Sequence, residues 1–222
     1  MTEIRISEYS GFCFGVKRAV DMINESIENS KASICCLGEL IHNRIFNQTL
    51  RDRGVRFINE DELGGLGSDA LVFLRAHGTT KQIFNTLNQN GIKYVDATCP
   101  YVSKIHKIVA LQPKETKVIL IGDARHPEVE GIMSWANGVG VVYADKNEID
   151  MAHGEGFKSD EPCILAVQTT YSGAEWIRCR ERIKELYPNV KVYETICSVT
   201  ENRQRAIKEL AENSDLTVVV GG

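Results

Sequence analysis

Cys13, Cys99 and Cys197 each follow a strand-like apolar run and precede a helix-like segment. The first lies in Gly11-Phe12-Cys13-Phe14-Gly15-Val16, directly after the run 4–10. The second ends Lys93-Tyr94-Val95-Asp96-Ala97-Thr98-Cys99, and the third ends Lys191-Val192-Tyr193-Glu194-Thr195-Ile196-Cys197. The thiols are 86 and then 98 residues apart (13 to 99, 99 to 197), a domain-like spacing. Three units, each presenting one thiol at a strand-to-helix corner, imply a pseudo-threefold protein with the thiols at its centre. A helix N-terminus lowers a thiol pKa, so thiolates are expected there. Three thiolates could hold three corners of a four-iron, four-sulfur (4Fe-4S) cluster. The fourth iron would then lack a protein ligand and be open to a substrate oxygen as a Lewis acid.

Other reactive groups stand at equivalent corners. His42, His77 and His126 each lie just past an apolar run and just before a helical segment, as do Thr169 and Thr170; His106 and His153 do not. Ligands of open α/β sheets bind beyond the carboxyl ends of the strands, and helix N-termini there offer free amides to anions. Imidazoles, hydroxyls and amides converging on one centre suit a phosphate or diphosphate. Glu128, in His126-Pro127-Glu128-Val129-Glu130-Gly131, points from a first helical turn towards the same centre and is the best proton donor. Glu130 is rotated away and reads as a surface carboxylate. Ser172, with Glu175 three residues on, reads as a helix cap. Cys35, Cys36, Cys163 and Cys179 read as small buried residues.

The elements that must position these groups follow from alternating apolar runs and helical-period segments, the pattern of βα units with parallel sheets. Strands are expected at Ser33–Leu37, Ala70–Leu74, Lys93–Asp96, Lys117–Ile121, Gly140–Tyr143, Cys163–Val167, 191–194 and 216–220, besides the first one before Cys13. Helical faces are read at Val16, Ala19, Val20, Ile23 and Ile27, at Ile83, Phe84 and Leu87, and at Val129, Ile132, Met133 and Ala136. The 222 residues exceed one ordinary domain, and 43% hydrophobic with 25% charged residues is ordinary globular composition. A net charge of −4 gives no basic face for nucleic acid. No apolar run is long enough to cross a bilayer, and the first residues lack a signal-peptide pattern. The expected compartment is the cytoplasm, where seven reduced cysteines serve as ligands or core rather than as disulfides.

Taken together, Gly11-Phe12-Cys13-Phe14-Gly15-Val16, Glu39-Leu40-Ile41-His42-Asn43, Arg75-Ala76-His77-Gly78, Asp96-Ala97-Thr98-Cys99-Pro100, His126-Pro127-Glu128-Val129-Glu130-Gly131, Gln168-Thr169-Thr170 and Cys197 with Asn202-Arg203-Gln204 resemble the LytB family of 4-hydroxy-3-methylbut-2-enyl diphosphate reductases. The resemblance implies three α/β domains in pseudo-threefold arrangement around a 4Fe-4S cluster held by the three cysteines. It divides the chain into an N-terminal strand at 1–13 packing with the third domain, a first domain at 14–98, a second at 99–195 and the start of a third at 196–222. It implies that His42, His77 and His126 bind the substrate diphosphate, that Glu128 feeds protons and that Thr169 lines the pocket beside the substrate's hydroxymethyl end. Two-electron reductive dehydroxylation to isopentenyl and dimethylallyl diphosphate is the implied reaction, the last step of the methylerythritol phosphate route. Electrons would come from a ferredoxin or flavodoxin type donor, and the protein would act as a monomer. The family's diphosphate-gripping Ser-Ser-Asn loop would lie beyond residue 222, so this stretch alone is expected to have little or no activity. Two other readings of the same residues are a zinc-dependent hydrolase with Cys and His ligands and a non-catalytic diphosphate-binding module.

Overall fold

Strands that are apolar at nearly every position need cover on both faces. Here β7 (Cys163–Val167) is buried at all five positions, and β1 (Ser33–Leu37) and β5 (Lys117–Ile121) at four of five. The computed structural model describes residues 3–152 and 158–220, so His153 lies outside the described residues. Two four-stranded parallel sheets supply the architecture, each sandwiched between helices.

The first lobe runs α1 (Phe14–Asn29), β1, α2 (Arg44–Asp52), β2 (Arg56–Ile58), a 3₁₀ turn at Glu60–Gly65, β3 (Ala70–Leu74), α3 (Lys81–Gln89) and β4 (Lys93–Asp96). The second runs α4 (Pro100–Ala110), β5, α5 (Pro127–Ser134), β6 (Gly140–Tyr143), α6 (Lys146–Met151), β7, α7 (Gly173–Leu186) and β8 (Lys191–Val192). A last helix, α8 (Ser198–Glu212), follows Cys197. The sheet orders are β2-β1-β3-β4 and β6-β5-β7-β8, the same winding twice. Each order reverses direction between its first and third strands, and the crevice at such a switch point is where ligands of these sheets sit.

Period-two alternation sorts the strand residues into layers. Val118 and Leu120 pack with Ile105, Val109, Val129 and Ile132 beneath α4 and α5, whereas Ile119 and Ile121 pack with Trp176 and Ile183 of α7. In the first lobe Cys36 and Phe73 pack under α1 and α2, while Cys35, Val72 and Leu74 pack under α3. Cys163 and Cys179 belong to the α7 layer, and burial pushes both thiols up to about 11. These four cysteines are core. The lobes meet where Ser134 Oγ accepts from Lys81 N at 2.9 Å and Trp135 packs on Phe84 and His106.

Three expected strands differ, because a ladder needs a neighbour. Segments 4–10 and 216–220 carry no ladder; they lie along one cavity of about 520 Å³ together with Arg203, whose guanidinium donates to Tyr9 O at 3.0 Å and to Gly11 O. Ile6 and Val218 are 79% and 73% exposed there. The segment 191–194 is a strand only over Lys191–Val192. Beyond it Tyr193 N still donates to Leu165 O at 2.8 Å, and then a side chain replaces the backbone. The buried Thr195 hydroxyl accepts from Val167 N at 2.9 Å and donates to Val167 O at 2.5 Å. The edge strand β2 was not foreseen, since only Ile58 of its three residues is buried.

That hydroxyl satisfies two buried backbone groups at the end of β7, two residues from Cys197. Thr195→Val is expected to orphan both and cost about 1–3 kcal/mol in urea unfolding, whereas Thr195→Ser should recover most of the loss. A Val variant as stable as the parent would show that the hydroxyl does not hold this edge.

Candidate active site

Each lobe delivers one residue from each of three strand exits. His42 follows β1 and His126 follows β5; His77 follows β3 and Thr169 follows β7; Cys99 follows β4 and Cys197 follows β8. Residues from the two switch points thereby face one another across the lobe interface.

The three histidines form a cluster. Ring centroids of His42 and His77 are 4.0 Å apart, those of His42 and His126 5.6 Å, and those of His77 and His126 5.7 Å. His42 is exposed, while His77 and His126 are half-buried. Burial, with repulsion from His42, His126 and Arg75, pushes the His77 imidazole down to about 3. Burial and His42 also lower His126, against the pull of Asp123. His126 caps α5, its Nδ1 accepting from Glu128 N at 3.1 Å, so Nε2 is the nitrogen free to donate in the neutral ring. His77 Nδ1 is buried and has no hydrogen-bond partner. Three imidazoles and the Arg75 guanidinium can together form a cationic basin once an anion supplies the countercharge.

The turn that presents His77 is tightly specified. Gly78 has φ of +79°, and a Cβ there would come within 2.8 Å of His106 Cε1. Arg75 Nε donates to Gly78 O at 3.1 Å, closing the turn. Arg75 stands two residues before His77, but its sequence carries no sign that its guanidinium folds back onto its own loop. His106, buried on α4 and stacked on Trp135, packs behind this turn; burial holds its imidazole down at about 4.

Glu128 is 1% exposed. One residue satisfies its carboxylate twice, with Thr169 N donating to Oε1 at 2.6 Å and the Thr169 hydroxyl donating to Oε2 at 2.8 Å. Burial raises the Glu128 pKa, and the two Thr169 bonds only partly oppose it. The neighbouring Gln168 ties the β5 and β7 exits together, its Oε1 accepting from Asp123 N at 3.1 Å and its Nε2 donating to Thr170 at 3.1 Å. Ser172 caps α7 by accepting from Glu175 N.

The cysteines of the three corners stand at the N-caps of α1, α4 and α8, and none spends its thiol on capping. All three are half-buried. A Cβ on Gly15 would lie 2.5 Å from Cys99 Sγ, so α1 can start beside this thiol only with glycine at that position. The Cys99 thiol is raised by burial, lowered by the Tyr101 and Val102 amides, and raised again by Cys197 and Cys13. The helix-end depression expected from sequence is outweighed at Cys99, because burial acts more strongly than the amides. Backbone bonds lock two corners to the other groups: Cys99 N donates to Ala76 O, beside His77, and Cys197 N donates to Thr169 O, both at 2.9 Å. Tyr101 Oη and Ser198 Oγ, 3.0 Å apart, link the first turns of α4 and α8.

Comparison with known proteins agrees with this arrangement. The family model described as LytB protein matches residues 4–222. A 4-hydroxy-3-methylbut-2-enyl diphosphate reductase of Thermoanaerobacter sp. (strain X514) is 36% identical over 99% of this chain and 75% of its own length. The enzyme of that name from Clostridioides difficile (strain 630) is 34% identical over 99% of this chain and 77% of its own. Among solved structures, the E-1-hydroxy-2-methyl-but-2-enyl-4-diphosphate reductase from Plasmodium falciparum superposes with a TM-score of 0.87 at 30% identity, covering 96% of this chain and 66% of that one. A second, described as (E)-4-hydroxy-3-methyl-but-2-enyl diphosphate reductase, the terminal enzyme of the non-mevalonate pathway, gives a TM-score of 0.78 at 34% identity, covering 100% of this chain and 78% of that one. Sequence match along nearly the whole chain and the superposition of its double winding lead to one conclusion: the chain belongs to the LytB family.

Proposed function

We propose that this chain carries the catalytic groups of a 4-hydroxy-3-methylbut-2-enyl diphosphate reductase, an oxidoreductase of isoprenoid biosynthesis. The observation that carries the reading is the meeting of a histidine cluster, a buried carboxyl and the Cys99 and Cys197 corners at one set of strand exits, with Cys13 at the N-cap of α1 beside them. The overall reaction breaks the substrate's C–O bond with two electrons and two protons, releasing water and leaving isopentenyl or dimethylallyl diphosphate.

Cys13, Cys99 and Cys197 would hold a 4Fe-4S cluster. The donor set suits it: three half-buried thiols at helix N-caps and outside any disulfide, with Cys13 and Cys197 both near enough to act on the Cys99 thiol. Among the described residues no group of three or more His, Cys, Asp or Glu side chains is arranged to grip a metal ion. When bound, such a cluster supplies the electrons and a Lewis-acid iron.

The remaining steps belong to side chains. His42, His77 and His126 bind the diphosphate, with Arg75 adding charge behind them. Deep burial raises the Glu128 pKa and so favours the protonated carboxyl, the form that can donate to the departing hydroxyl. Thr169 orients that carboxyl with both of its donors and lines the pocket by the substrate's hydroxymethyl end. Residues 14–98 and 99–195 serve as two of the units around the centre, with 1–13 and 196–222 contributing to a third. We also infer a ferredoxin or flavodoxin type donor, a monomer, and a cytoplasmic setting in which the seven free cysteines stay reduced. No helix among the described residues is long and apolar enough to cross a membrane.

Anaerobic reconstitution tests the ligand set. Replacing Cys13, Cys99 or Cys197 by Ser should remove most bound iron and acid-labile sulfide, while Cys163→Ala and Cys179→Ala retain them. Iron loss on removing Cys163 as complete as on removing Cys99 would sink the assignment. For proton delivery, Glu128→Gln should keep the cluster spectrum and substrate binding yet slow turnover by about a hundredfold; a near-normal rate would remove Glu128 from the mechanism.

The histidine cluster has its own pH signature. In the free protein His77 is neutral at any pH well above about 3. A bound dianion favours imidazolium, so binding takes up protons and affinity rises as pH falls from about 8 towards 6. Calorimetry with inorganic pyrophosphate in two buffers of different ionisation enthalpy should detect this uptake, and His77→Asn should reduce it. For stability the sign also follows from the depressed pKa. Below the ordinary histidine pKa of about 6.5 the unfolded chain binds protons that folded His77 and His106 refuse until about pH 3–4. Stability without ligand should therefore fall as pH drops below about 6.5, as followed by thermal melts.

A further inference from the structure

Beside Cys99, two helix faces stand together. Phe14 and Arg18 lie four residues apart on α1 and share a face; Tyr101, Lys104 and Lys107 lie at successive three-residue steps on α4. Both helices begin at a cysteine, Cys13 and Cys99. Arg18 holds the faces together, its Nη1 donating to Thr98 O at 3.2 Å. Between them opens a cavity of about 340 Å³ lined by Arg18, Thr98, Pro100, Lys104 and Lys107, with Asp96 as its one acidic side chain. Thr98 and Pro100 are the two chain neighbours of Cys99, so this cavity reaches within one residue of a thiol on either side.

The charge of this patch is contrary to that of the molecule. Three cations face one carboxylate, in a chain whose net charge is −4. Asp96 is occupied locally, its Oδ1 accepting from Thr98 N at 3.0 Å and from the Thr98 hydroxyl. The nearby Lys17 is neutralised by Asp21 at 2.6 Å. Lys104 and Lys107 are exposed and have no acidic partner among the described ion pairs. Two aromatic rings flank the same thiols in the open, Phe14 at 64% exposure and Tyr101 at 38%. Solvent-exposed aromatics beside a basic rim are the composition of a contact surface rather than of a plain solvated face. A redox centre served by a diffusing protein needs a short path from its ligands to the surface, and electrostatic attraction to bring the partner there.

We propose that the Arg18, Lys104 and Lys107 face, with Phe14 and Tyr101 at its edge, is the docking surface for a small acidic electron-carrier protein. The proposal rests on the reading of Cys13, Cys99 and Cys197 as cluster ligands. Reduced acidic carrier binds here, passes one electron by way of the Cys99 corner and leaves oxidised; two such encounters supply the two electrons of one turnover. Lys104 and Lys107 lie outside the substrate-binding and proton-donating groups.

The test uses an acidic 2Fe-2S ferredoxin and the double variant Lys104→Glu/Lys107→Glu. In reconstituted protein at low salt, stopped-flow reduction by reduced ferredoxin should slow about tenfold or more, and its decline with added salt should flatten. The cluster's visible spectrum and its reduction by dithionite should be unchanged. Unaltered ferredoxin rate and salt dependence, with the cluster intact, would overturn the docking surface while leaving the cluster assignment standing. A second arm needs no cluster in this chain: titration of the protein with Cys13, Cys99 and Cys197 all replaced by Ser, using ferredoxin bearing gallium in place of iron, followed by NMR. Salt-sensitive binding that the double charge reversal weakens supports the surface; binding equal in both proteins, or none in either, overturns it. Failure of the parent chain to take up iron at all would instead refute the cluster reading, and the gallium titration would still decide the surface.

Discussion

Two backbone hydrogen bonds bind the corners of the centre together, from Cys99 N to Ala76 O and from Cys197 N to Thr169 O. Each ties the exit of an edge strand to the exit of its inner neighbour. The first places a thiol beside the histidine turn of one lobe, and the second places a thiol beside the carboxylate partner of the other. Parallel pairing makes this possible, because all strands of a sheet end on the same side. The winding β2-β1-β3-β4, repeated as β6-β5-β7-β8, puts the same three exits in the same order in both lobes. Duplicate geometry then carries different chemistry: His42 and His77 in one crevice, His126 and Thr169 in the other.

Burial is the second organising constraint, and it acts with opposite consequences on the two kinds of group. It disfavours the charged form of each, pushing histidines down and the carboxyl up. His77 at about 3 stays neutral until an anion arrives, whereas Glu128 tends to keep its proton. The site without ligand thus avoids concentrating charge in a confined space. Arg75 keeps its guanidinium there by donating to Gly78 O, so the same residue shapes the loop and charges the basin. The supporting layer is polar but ordered: Gln168 spans two strand exits, and the Thr195 hydroxyl ends the β7–β8 ladder where the backbone leaves it.

The apolar runs, their alternation with helical segments and the residues at their ends were legible in the chain because both periodicities are local. Seven of the eight strands follow from continuous hydrophobic runs, including the β8 position, if not its length. Arg56–Ile58 escaped because a short edge strand with one buried residue has no pattern to read. The runs at 4–10 and 216–220 have strand composition, yet composition cannot provide the neighbour a ladder requires.

Residue types and their places relative to strand ends were determined by the sequence itself: three cysteines, three histidines, Glu128 and Thr169 at corners, three further cysteines in apolar runs and Cys179 on a helix. What brings them together was decided only in three dimensions, since the distance from His77 to His126 depends on how one lobe turns against the other. The thiol of Cys99 shows the difference most plainly. A helix N-terminus argues for a lowered pKa, and that argument is local; the burial and the two neighbouring thiols that raise it come from elements 86 and 98 residues away (13 to 99, 99 to 197). Gly15 is of the same kind. Its role, making room for Cys99, arises from a contact that no spacing along the chain encodes.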